Sequence, residues 1–152
     1  MSTYSRAEPR IYFGTVPPED LVVSDHLVRY RMRQSGDHKL AVRAVATAGR
    51  VGYIHAAASS WALIVRSCQV NPSGEYIDVP WNDLTDLGYS TQACNVNSGL
   101  GSFSELEYHI PAIGQATGRV RCDDTAQVWA YRGSIESIRT VVRALLCPEF
   151  TD

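Results

Sequence analysis

Along most of this chain hydrophobic and polar residues alternate with a period of two. In Leu27–Arg33, Val28, Tyr30 and Met32 fall on one side of an extended strand, and Arg29, Arg31 and Arg33 on the other. Successive side chains of a strand point to opposite faces, so this run predicts a half-buried strand. His38–Val45 repeats the pattern less cleanly, and Arg50–His55 groups Val51, Tyr53 and His55. Ser35-Gly36-Asp37 and Ala48-Gly49 supply turn chemistry between these runs. The alanines at 56–58 favour a helix. Trp61–Val70, however, is rich in β-compatible residues and stops at the turn Asn71-Pro72-Ser73-Gly74, which predicts a strand from about Trp61. Glu75–Val79, Tyr89–Val96, Ser102–His109 and Ala126–Arg132 continue the series. Short strands at such close intervals predict a mostly β, antiparallel sandwich or barrel.

The C-terminal segment has a different period. Ile135, Ile138, Val141, Val142, Leu145 and Leu146 recur at helical spacing. Ser134 precedes them as an N-cap, Glu136 complements the positive end of the helix, and Pro148 stops it. The apolar stripe is expected to dock on the sheet. Residues 1–9 are polar and read as a flexible N-terminus, leaving residues 10–152 as a single domain. A chain of 152 residues is long enough to bury its own core without metals or disulfides.

Composition narrows the partners. Fourteen Lys and Arg against sixteen Asp and Glu give a net charge of −2, with no basic run, so nucleic acid is not an expected partner. No stretch has the roughly 20 apolar residues of a membrane helix, and Met1–Arg10 has no signal-peptide core. A cytoplasmic protein without a membrane partner is expected. Cys68, Cys94, Cys122 and Cys147 have no CxxC spacing and read as buried thiols. No cofactor or metal is expected. Glu107 and His109 have the i,i+2 spacing of β-fold ligand pairs, but no HxH pair accompanies them.

The segment richest in chemistry is Gly101–His109. On a strand, Phe103, Glu105, Glu107 and His109 share one face. Two carboxylates and an imidazole are costly to bury, so they are expected at solvent or in a polar cleft. Crowding of like charges would raise one carboxyl pKa toward the range of a general acid or base. The bland alternative is an exposed sheet face. Trp81, in the loop-like Pro80-Trp81-Asn82-Asp83, offers a platform for a ligand ring, whereas Trp61 and Trp129 read as core. Arg66, on an otherwise apolar run, is either a cleft cation or a wet-face one.

Phe103-Ser104-Glu105-Leu106-Glu107-Tyr108-His109-Ile110-Pro111-Ala112 resembles the late strand of galactose-mutarotase-like proteins, the aldose 1-epimerases and their relatives. Phe13–Pro18, His38–Val42, Gln92–Asn97 and Gln127–Arg132 resemble further segments of that superfamily's C-terminal half, in the same order. The resemblance implies a β-sandwich equal to half of a supersandwich. It implies a carbohydrate or related polar small molecule as ligand, with Glu105, Arg66, Trp81 and Asn95 as binding residues. If the chain is an enzyme, the implied chemistry is aldose epimerisation with Glu107 matching the base; no histidine matches the family's acid positions, so the acid is expected to be recruited locally, from His109 or His38. The histidine-bearing earlier strands of the family have no counterpart here. The competing expectation is therefore a non-catalytic assembly module that forms a homodimer through its open sheet.

Overall fold

The computed structural model describes residues 8–33, 36–114 and 117–151. Apart from Glu8 and Pro9, the expected N-terminal tail lies outside these residues, as does Ser35 of the first predicted turn. The fold is mostly β, with antiparallel sheets and one C-terminal helix, as a β-sandwich requires. Its strands are β1 (Arg10–Phe13), β2 (Leu21–Val23), β3 (Val28–Tyr30), β4 (His38–Arg43), β5 (Arg50–Ala57), β6 (Ser60–Cys68), β7 (Tyr89–Ser98), β8 (Gly101–Tyr108) and β9 (Ala126–Gly133). The helix α1 spans Ile135–Leu145.

The strands form a four-stranded sheet in the order β1-β4-β7-β8, a three-stranded sheet β5-β6-β9, and the small hairpin β2-β3. The alternation that predicts the Leu27–Arg33 strand holds in burial, with Val28, Tyr30 and Met32 half-buried and the three arginines exposed. Its ladder stops at Tyr30, however, because β2 offers only three residues to pair with. The alanines at 56–58 end β5 and enter the two-residue turn that joins it to β6, so they build a hairpin and no helix. β1 and β2 are strands that the alternation did not reveal.

Glu75–Val79 is not a strand. Its backbone makes single bonds in different directions, Ala112 N–H to Glu75 O at 2.7 Å and Gly88 N–H to Tyr76 O at 3.2 Å, and no neighbouring strand offers it a ladder. The segment belongs instead to a long connection between β6 and β7. This connection crosses one face of the four-stranded sheet and is held there by Tyr12 Oη donating to Asp78 O at 3.0 Å. Arg43 Nη1 donates to Leu87 O at 2.7 Å and anchors its far end.

The helix forms where its stripe predicts. Ser134 Oγ accepts from Ser137 N at 3.2 Å, capping an otherwise unpaired N–H. Ile138 and Val142 are buried against Leu63 and Val65 of β6, with Trp61, Trp129 and Tyr131 around them. A second cluster of Tyr12, Ala41 and Tyr89 lies beneath the β6–β7 connection. No helix among the described residues is long and apolar enough to cross a membrane.

Candidate functional site

Register decides which side chains meet. In the four-stranded sheet Lys39 pairs with Cys94 and Cys94 with Glu105, while Ala41 pairs with Gln92 and Gln92 with Glu107. Directly opposed residues in antiparallel strands share a face. Lys39, Gln92, Cys94, Glu105 and Glu107 therefore stand on one side, the side crossed by the β6–β7 connection. That connection adds Asp78, and His109 follows β8 directly.

These groups form one polar network. Lys39 Nζ donates to Glu107 Oε2 at 3.0 Å and lies 3.9 Å from Asp78 Oδ2. His109 Nε2 sits 3.7 Å from both Glu107 Oε2 and Asp78 Oδ2, beyond hydrogen-bond length but within Coulombic reach of each. Gln92 donates from Nε2 to Asp78 Oδ2 and, at 3.4 Å, to the Tyr12 hydroxyl. Lys39 Nζ also stands 5.5 Å from the centre of the Tyr12 ring. The His109 imidazole, and after it the Lys39 ammonium, hold the Glu107 carboxyl at about 2, although burial pushes the other way. Burial and the Asp78 charge together push the Tyr12 phenol well above its usual value.

This reverses the expected electrostatics. Crowded carboxylates were expected to raise a carboxyl pKa, but His109 first and Lys39 after it act more strongly and keep Glu107 ionised. Cys94 shows the complementary effect. It is buried and donates from Sγ to Glu105 Oε2 at 3.2 Å, so burial and the two glutamates push its thiol up to about 12. Cys94, Glu105 and Glu107 are the described residues whose donor atoms lie close enough to hold a metal, all within 4.8 Å of one another. As they stand, the thiol keeps its proton and Lys39 neutralises Glu107. All four cysteines are free thiols.

A shallow cavity of about 460 Å³ opens beside the network, lined by Arg66, Glu107, Tyr108, His109 and Ile110. Arg66 reaches it from β6. Its Nη1 donates to Leu106 O at 2.6 Å, and its guanidinium lies 4.7 Å from the centre of the Tyr108 ring. Of the two alternatives for Arg66, the structure gives the cleft cation.

The remaining sequence-derived residues are distributed as follows. Glu105 is exposed and adjoins Glu107 through Cys94. Trp81 is 77% exposed and stacks on Phe13 at 5.0 Å, and Phe13 is the register partner of Lys39. It flanks the network without lining the cavity. His38 and Asn95 are not brought to Glu107. They pair with each other, Asn95 pairs with Ser104, and this row is one residue out of step with Lys39-Cys94-Glu105, so it occupies the opposite face. His38 is buried edge-on to Tyr30 at 5.2 Å, and burial lowers its pKa. Asn95 Nδ2 bonds Arg33 O and Gly36 O, both at 2.9 Å, which gives it a structural task.

Sequence reasoning missed Lys39, Gln92 and Tyr12. Lys39 and Gln92 were hidden because the alternation within a strand does not give the register between strands. Tyr12 had a local signal, since Ile11-Tyr12-Phe13 is a run of β-favouring residues. Set against known protein families, curated proteins and solved structures, the chain matches none of them.

Proposed function

We propose that this protein binds a carbohydrate or a related polar small molecule at the Glu107 network and the cavity beside it. The observation that carries the reading is that Glu107 and Asp78 each lie within 4 Å of both Lys39 Nζ and His109 Nε2 at the edge of an open cavity. Fixed acceptors and donors held side by side suit a ligand with several hydroxyls. The exposed Trp81, braced by Phe13, supplies an apolar platform next to Lys39. The likeness of Phe103–Ala112 to a mutarotase strand supports the same ligand class at the level of a motif. On this reading the protein works in the cytoplasm.

The chemistry of the network favours binding over turnover. A carboxylate held at about 2 is a strong acceptor but a weak proton abstractor near neutral pH. Titration calorimetry of the wild type with glucose, galactose and their relatives, run beside Glu107→Gln, tests the proposal. A ligand that binds the wild type and binds the variant about tenfold more weakly or worse supports it. Binding unaffected by Glu107→Gln overturns it. Polarimetry of fresh α-glucose and α-galactose in the same samples reads whether epimerisation accompanies binding.

One feature favours a second reading as an assembly module that dimerises through its open sheet. β9 is an edge strand, and Ile64 and Val128, on the sheet face away from α1, are 44% and 62% exposed. Light scattering at micromolar concentration separates the two. A dimer dispersed by Val128→Lys supports assembly, and a monomer removes it.

A further inference from the structure

Arg66 differs from the other charged groups around the cavity. Glu107 is compensated by Lys39 at 3.0 Å, and Asp78 by Gln92 and by Lys39 at 3.9 Å. Among the described residues Arg66 takes part in no ion pair. Its one hydrogen bond runs from Nη1 to the carbonyl of Leu106, and its Nε is buried with no partner. A guanidinium presents five donors and stays charged at any physiological pH, so most of this one's capacity is unused. It is nonetheless held in place, by the Leu106 carbonyl on one side and the Tyr108 ring on another. Asp124 also lies beside Tyr108 but makes no ion pair with Arg66, so a cation oriented in this way at a cavity wall still has donors to offer an anion.

We propose that Arg66 is the seat for a carboxylate on the ligand, so that the protein selects acidic sugars or sugar-like hydroxy acids over neutral sugars. The proposal rests on the small-molecule-binding reading and adds the charge of the ligand to it. A carboxylate is preferred to a phosphate because Glu107 lines the same cavity. Lys39 is already paired with Glu107, so the single guanidinium of Arg66 matches one added negative charge more closely than two. His109, on the same wall, has an Nε2 that is buried without a hydrogen-bond partner and provides a further polar contact. Arg66 comes from β6 and Glu107 from β8, so ligand charge and ligand hydroxyls would be read by the two different sheets.

The test is a set of calorimetric titrations with glucose, glucuronate, glucose 6-phosphate and acetate, on the wild type, Arg66→Gln and Arg66→Lys. Glucuronate is expected to bind the wild type roughly tenfold or more tightly than glucose. Arg66→Gln should bring the two to equal affinity, and Arg66→Lys should restore part of the preference. Amide shifts of Tyr108, His109 and Ile110 in the wild type, titrated with glucuronate, locate the contact even if a variant folds poorly. Equal binding of glucose and glucuronate overturns the carboxylate seat and leaves the sugar-binding reading intact. Acetate binding as tightly as glucuronate, both through Arg66, keeps the seat and overturns the sugar. Tighter binding of glucose 6-phosphate than of glucuronate overturns the choice of carboxylate. A preference that survives Arg66→Gln overturns the role of Arg66, and no binding of any probe overturns both proposals.

Discussion

Replacing Glu107 by Gln should change how stability depends on pH, and the structure sets both the sign and the size. In the folded protein the Glu107 carboxyl is held at about 2 by His109 and Lys39, against 4.5 without those neighbours. A carboxyl depressed on folding stabilises the protein above its unfolded pKa, and that stability is lost as pH falls through the folded value. A depression of this size corresponds to about 3 kcal/mol at full strength. Solvent screening is limited, since the Glu107 side chain is 24% exposed and that of Lys39 only 14%. Urea denaturation of wild type and Glu107→Gln measures the effect, because titrations of the other acidic groups largely cancel in the difference. The stability advantage of the wild type should shrink by about 2–3 kcal/mol between about pH 6 and about pH 2.5. Two profiles that stay parallel within about 0.5 kcal/mol would refute the electrostatic account of Glu107, because the carboxylate would then gain nothing from its neighbours.

Two further outcomes follow from burial. Ile138→Ala removes three carbons from the face that seals α1 onto β6, where Ile138 is 1% exposed, and should cost about 2–4 kcal/mol in chemical denaturation. A loss under about 1 kcal/mol would mean that the helix is not docked as described. Cys94, buried and held protonated at about 12, should react with iodoacetamide at least about a hundredfold more slowly in the folded protein than in urea, both at about pH 8. Mass mapping of the labelled cysteine gives the answer, and comparable rates would refute the placement of Cys94 beneath Glu105.

The parts of the fold legible in the sequence are those fixed by a single segment. The spacing of Ile138 and Val142 and the cap at Ser134 are local facts, and the helix forms where they place it. Strand alternation is also local, so the paired exposure of Val28 and Tyr30 against Arg29 holds even where the ladder fails. The strand predicted at Glu75–Val79 failed for a non-local reason. Tyr76, Ile77 and Val79 favour extended backbone, but no second strand runs beside the segment, and β propensity alone does not guarantee a hydrogen-bonding partner. Conversely, β1 and β2 are too short to show a period, and they are strands because β4 and β3 pair with them.

The same distinction explains the site. Within β8 the spacing of two correctly places Glu105 and Glu107 on one face, with His109 continuing past the end of the strand. Extending that face to the neighbouring strands requires the register, which no single segment contains. A shift of one residue exchanges the two faces of a strand. In β4 the choice was between adjacent residues, and the register gives Glu107 a lysine where the motif-level reading supplied a histidine. This exchange changes the chemistry of the site. A protonated imidazole at position 38 beside Glu107 could have given a proton to a substrate while Glu107 accepted one. With His109 and then Lys39 beside it, Glu107 is instead held as an anion and its basicity is lowered. What the pair of Lys39 and Glu107 retains is the capacity to present a firm acceptor and a firm donor side by side. Such a pair suits hydroxyl groups, and among the described residues it leaves Arg66 as a cavity cation that makes no ion pair.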